Sequence, residues 1–142
     1  MGMTRTAQKA RVLIAEGPGI NREIRDSLSR YEVTTVRTFD EAQRVLGQDR
    51  FGLVLIDLQF EESRMFELLQ FLHSLDGYDD VPVVCVQGTD RRVSTSIRLN
   101  MNHAVRALGG RAFFDLRAAD EMTVQTCEYL RQVIALPERN RA

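Results

Sequence analysis

Phe51-Gly52-Leu53-Val54-Leu55-Ile56-Asp57-Leu58-Gln59-Phe60 is the stretch that decides how the chain is read. Leu53 to Ile56 form an unbroken apolar run that stops at Asp57. A short run of branched side chains that does not alternate with polar residues predicts a strand covered on both faces, as at the centre of a parallel sheet. A buried helical segment is the competing reading; the length, the β-branched content and the Phe-Gly start argue against it. In open α/β sheets chemistry sits beyond the C-terminal strand ends, which makes Asp57 the first candidate functional residue.

On the N-terminal side, Arg11-Val12-Leu13-Ile14-Ala15-Glu16 predicts a first strand with an acidic end, stopped by Gly17-Pro18-Gly19. Ile20, Ile24 and Leu28 recur at intervals of four, predicting a helix over Asn21 to Arg30 with Arg22, Glu23, Arg25 and Asp26 mostly on its other side. The mixed polarity of Tyr31 to Val36 suits a strand near a sheet edge. Thr38 and Glu41 have capping-box spacing ahead of a helix carrying Ala42, Val45 and Leu46, which Gly47 is expected to end.

On the C-terminal side, Met65, Leu68, Leu69 and Leu72 mark the buried side of a third helix. Val81-Pro82-Val83-Val84-Cys85-Val86 predicts a second fully apolar strand, with proline tolerated at its start. Asp90 suits the N-cap of a long helix with the stripe Val93, Ile97, Met101, Ala104 or Val105, and Leu108, closed by Gly109-Gly110. Arg111 to Leu116 is the fifth strand, and Met122 through Ile134 the last helix, with Met122, Leu130, Val133 and Ile134 inward. Five strands alternating with five helices predict one mainly parallel sheet with helices on both faces. The expected organisation is a flexible tail over 1–10, one domain over 11–136 and a second tail over 137–142.

The 142 residues suffice for one domain, and 19 Lys+Arg against 20 Asp+Glu leave no global field to draw nucleic acid or an anionic membrane. No run approaches the roughly 20 apolar residues of a membrane span. The start MGMTRTAQKAR is too polar for a secretory signal. Cys85 and Cys127 lie in apolar patterns, where free cysteine acts as a small hydrophobe, and a reducing compartment fits best. The expectation is a cytoplasmic protein with no direct nucleic-acid or membrane contact. Gly17-Pro18-Gly19 matches neither a Rossmann nor a Walker pattern, and His73 and His103 lack metal-ligand spacing.

From Arg11 to about Leu136 the chain resembles the receiver domains of two-component response regulators, the family of chemotaxis-regulator-like folds. The apolar first strand with its acidic end, Leu53 to Leu58, the Val-Pro-Val-Val-Cys-Val strand, and Ala107-Leu108-Gly109-Gly110 followed by Phe113-Phe114 carry the resemblance, in that order. It implies a flavodoxin-like (βα)5 three-layer sandwich with a central five-stranded parallel sheet in the order 2-1-3-4-5. It also implies phosphoryl transfer to an aspartate, with an acidic pair for Mg2+, a switch hydroxyl and a lysine. Asp57 then falls at the phosphoacceptor. Glu16 and Gly17 fall at the acidic pair, Gln87 and Phe113 at the switch positions, and Leu116 at the lysine.

The acceptor and one carboxylate of the pair are thus all that remains. Each loss is expected to cost on the order of 1–3 kcal/mol at a partly desolvated site. No cofactor is expected; a weak Mg2+ site on Glu16 and Asp57 is the most the residues offer. Glu61 or Glu62 could substitute as ligands, and Arg92 or Arg117 could pair with Glu16 or Asp57, although a solvated arginine on a loop is the favoured reading of either.

The function expected is that of an atypical, non-enzymatic pseudo-receiver that signals by protein contact without normal aspartyl phosphorylation. It would use a protein partner or a homodimer through the face of the fourth helix, fifth strand and fifth helix, with Val93, Ile97, Met101 and Val105 as interface candidates. One alternative is a stand-alone response regulator phosphorylated on Asp57 by a histidine kinase. Another is a small-molecule binder or enzyme on the same architecture.

Overall fold

The computed structural model describes residues 10–88, 95–117 and 121–134. Five strands, β1 (Arg11–Ala15), β2 (Glu32–Val36), β3 (Leu53–Asp57), β4 (Val83–Gln87) and β5 (Ala112–Asp115), form one sheet in the order β2-β1-β3-β4-β5. Every neighbouring pair is parallel. The principal helices are α1 (Arg22–Ser27), α2 (Phe39–Gln48), α3 (Met65–Ser74), α4 (Thr95–Ala107) and α5 (Met122–Val133). This is the expected flavodoxin-like architecture.

All five residues of β3 are buried. Alternation of side chains along the strands divides the core into two layers. Val54 and Ile56 join Leu13, Ala15, Val83, Cys85 and Phe113 beneath α2, α3 and α4. Leu53 and Leu55 join Val12, Ile14, Val84 and Val86 beneath α1 and α5. Burying each such side chain contributes about 1.5–3 kcal/mol, so β3, which serves both layers, anchors the sheet. Among the described residues β2 pairs with β1 alone, and it exposes Glu32, Val33 and Thr35, as its mixed polarity predicts for an edge.

Short-range chemistry sets the helix ends. Asn21 Oδ1 accepts the Ile24 N–H at 3.0 Å, and Thr38 Oγ1 accepts the Glu41 N–H at 3.1 Å. The Glu41 carboxylate reaches the Arg37 N–H at 2.7 Å, so the capping box closes on the residue before the cap. At the end of α4, Gly109 at φ +94° donates to Arg106 and Gly110 donates to Val105, a Schellman closure.

Several boundaries move. α1 ends at Ser27, short of Arg30, because the Ser27 hydroxyl and the Leu28 N–H turn back onto Ile24 and Arg25. Gly47 does not end α2, which continues to Gln48 and closes with the Asp49 N–H on Val45. Pro82 lies ahead of β4 and lends its carbonyl to the Val54 N–H. Ala10, expected in the tail, is buried, and its carbonyl accepts the Glu32 N–H. Asp90 and Val93 lie outside the described residues. Among the described residues no helix is long and apolar enough to cross a membrane.

Candidate functional site

The register places Asp57 beside Val86 and Gln87 beside Asp115, bringing the ends of β3, β4 and β5 together, with Glu16 one residue beyond β1. Asp57 is completely buried. Its Oδ2 accepts a short hydrogen bond from the Gly19 N–H, and its Oδ1 accepts the Gln59 N–H at 2.8 Å. Burial pushes the Asp57 carboxyl above its ordinary value; the Gln59 and Gly19 amides oppose that shift, and the nearby negative charge of Glu16 adds to it.

The Gly17-Pro18-Gly19 turn roofs this carboxylate. A Cβ on Gly17 would collide with the Asp57 carboxyl group, and one on Gly19 would meet Asp57 Oδ2 and lie 2.8 Å from the Gly88 nitrogen. A Cβ on Gly88 would in turn lie 2.7 Å from Gly19 Cα. The loops leaving β1 and β4 therefore pack backbone to backbone over Asp57, which residues with side chains at these positions would prevent.

Glu16 is paired with Arg25 of α1. The helical pattern puts Arg25 on the solvent side of α1 and leaves Arg117 and Arg92, the latter outside the described residues, as the candidate partners; the structure pairs Arg25 with Glu16 instead. The usable signal was that Arg25 follows the Asn21 cap by one helical turn, which returns it to the end of β1. Glu61 does not turn toward Asp57: it accepts the Phe39 N–H at 2.7 Å and pairs with Arg64 at 3.2 Å. These donors do not fit a magnesium ion, which needs several hard oxygens in near-octahedral array. One carboxylate is paired with Arg25, the other is engaged by two amides, and Gly17 has no side chain. Among the described residues no group of three or more His, Cys, Asp or Glu side chains could hold a metal.

Leu116, expected at the lysine position, folds into the layer that contains Ile20, Ile24 and Val86, and its N–H donates to the Gln87 carbonyl at 2.8 Å. Gln87 is buried at the end of β4. Phe113 is buried in the opposite layer, with its N–H held by Asn102 Oδ1 at 3.2 Å. Asp115 is buried too; its Oδ1 accepts the Arg117 N–H at 3.0 Å. Neither the Asn102 clasp nor the burial of Asp115 was read from the sequence.

The interface candidates separate. Val105 is fully buried in the core and is corrected from surface to interior, because the Schellman closure folds Gly110 against it. Met101 packs half-buried against the same layer, whereas Ile97 is 50% exposed and Leu99 57%. A cavity of about 100 Å³ lined by Leu72, His73, Tyr78, Asp79, Val83 and Leu108 opens near the start of β4, at the other end of the strand from Asp57.

No protein-family model matches the chain. It is 30% identical over 86 residues, 57% of its length, to the 3',5'-cyclic-nucleotide phosphodiesterase regA of Dictyostelium discoideum, and spans 11% of that protein. Three similar solved structures are response regulators. The phosphorylated cyanobacterial phytochrome response regulator RcpA has a TM-score of 0.67 at 20% identity, covering 92% of this chain and 99% of that one. The Mn(2+)-bound form of response regulator Rcp1 has a TM-score of 0.67 at 16% identity, covering 91% and 99%. The chemotaxis response regulator CheY4 of Vibrio cholerae has a TM-score of 0.64 at 18% identity, covering 87% and 99%. With its parallel sheet in the order β2-β1-β3-β4-β5 and an aspartate at the end of the central strand, the chain has the fold of the response-regulator receiver domains.

Proposed function

We propose that this receiver fold transmits a signal by protein contact, without a resident magnesium ion and without normal phosphorylation of Asp57. The observation that carries the reading is the state of Asp57: fully buried, with each oxygen engaged by a backbone amide and the Gly17–Gly19 turn in van der Waals reach. A dianionic phosphoryl group needs both space and positive charge there, and Leu116 supplies neither. The reading assigns the chain no catalytic step. The contact surface is the α4–β5–α5 face, with the exposed Ile97 on the same stripe of α4 as Met101 as its apolar candidate for a partner protein or a second copy.

A phosphorylatable regulator is the second reading, and the comparisons favour it over the first. One similar structure is of a phosphorylated response regulator and another holds Mn2+. Asp57 also stands at the end of the central strand. Treatment with acetyl phosphate and magnesium, followed by intact mass and sedimentation, separates the two. Under the contact reading the mass is unchanged. Near-stoichiometric labelling that Asp57→Asn abolishes, with a shift in oligomeric state, establishes the second reading in place of the first.

A further inference from the structure

The misfit between these residues and a metal ion has a positive content. We infer that Arg25 is a built-in counter-cation: its guanidinium holds Glu16 and, together with the glycine turn on Asp57, latches the acidic end of the sheet in one closed state. The inference rests on the contact reading above and supplies its regulation.

The latch is continuous in the chain. Glu16 is followed by Gly17-Pro18-Gly19, then Ile20 and the Asn21 cap, and Arg25 lies one turn into α1 with its N–H on the Asn21 carbonyl at 3.1 Å. The turn is tight, with the Ile20 N–H on Gly17 at 3.1 Å and the Asn21 N–H on Gly19 at 2.9 Å. Fixing Glu16 to Arg25 ties the two ends of this turn together, and the turn's middle then presses on Asp57. Glu16, held by Arg25, still lies close enough for its negative charge to act on Asp57. Glu16 and Arg25 are both partly exposed, so a change at the surface reaches the buried carboxylate through the turn. A carboxylate at position 17 cannot rebuild a metal site while the turn is closed, because even its Cβ would strike Asp57.

The test is Mn2+ binding to the full chain, followed by electron paramagnetic resonance, together with the amide NMR spectrum. Arg25→Ala should free Glu16 and tighten Mn2+ binding about tenfold over the wild type, since the pair and the ion compete for one carboxylate. It should also shift the Gly19 amide resonance. Arg25→Lys, which keeps the charge, should leave both close to wild type and shows that the effect is not loss of packing. Equal and weak Mn2+ binding in the wild type and a folded Arg25→Ala protein, with the Gly19 resonance unmoved, overturns the latch and leaves the contact reading standing. Tight Mn2+ binding by the wild type, coupled to Asp57 labelling, overturns both.

Discussion

Gly19 and Gly88 matter through the space they leave, since the backbones that meet over Asp57 have no room for a Cβ between them. Gly88→Ala places a methyl group 2.7 Å from Gly19 Cα, and backbone rather than a flexible side chain must yield. The expected cost is about 1–3 kcal/mol in urea unfolding, with an unchanged denaturant slope. Gly47 is the control: it sits within α2, and a Cβ there meets nothing within 4 Å. Gly47→Ala should therefore stabilise by about 0.5–1 kcal/mol. Equal effects at the two positions would remove the argument that close approach fixes the glycine at position 88.

Between β3 and α3 the chain makes a left-handed turn from residues with side chains: Glu61, Glu62 and Ser63 have φ of 39°, 57° and 71°. Such conformations cost roughly 1–2 kcal/mol per residue. Part of that cost is offset by Glu61, which accepts the first amide of α2 and pairs with Arg64, while the Arg64 guanidinium stacks 4.7 Å from the centroid of Phe39. Neighbouring substitutions should then act with opposite signs. Glu62→Gly removes a Cβ from an exposed left-handed residue and should stabilise by about 1 kcal/mol. Glu61→Ala leaves the strain and strips the Phe39 N–H of its acceptor, and should destabilise by about 0.5–1.5 kcal/mol. Thermal unfolding of both variants checks the pair of signs. The strain itself was invisible in the sequence, where Glu-Glu-Ser carries no glycine to announce positive φ.

Across the whole molecule, what was legible in the sequence is what depends on local pattern. The buried runs at β3 and β4 and the fourfold spacing of Ile20, Ile24 and Leu28 fix elements and layers almost regardless of context. The positions of Asp57 and Glu16 were legible because Asp57 ends a strand and Glu16 directly follows one. Arg25 was not, because whether a helical residue turns to solvent or to a strand end depends on how α1 is rotated on the sheet. Val105 was half legible: the stripe allowed Ala104 or Val105 inward, and only the closure at Gly110 selects Val105. Global stability should register the buried carboxylate as well. Between the ordinary Asp value of 3.8 and its higher native value, folded protein retains a proton at Asp57 that the unfolded chain has lost. The contribution of Asp57 to stability therefore falls as pH rises through that window and is level above it. Asp57→Asn does not titrate, and it adds a constant offset because its amide must face the N–H of Gly19 or Gln59. The stability of the wild type minus that of the variant, from urea unfolding at a series of pH values, should decline with rising pH across this window alone. A difference that grows with pH instead would mean that the two amides outweigh burial, and that Asp57 is held as an anion by the turn above it.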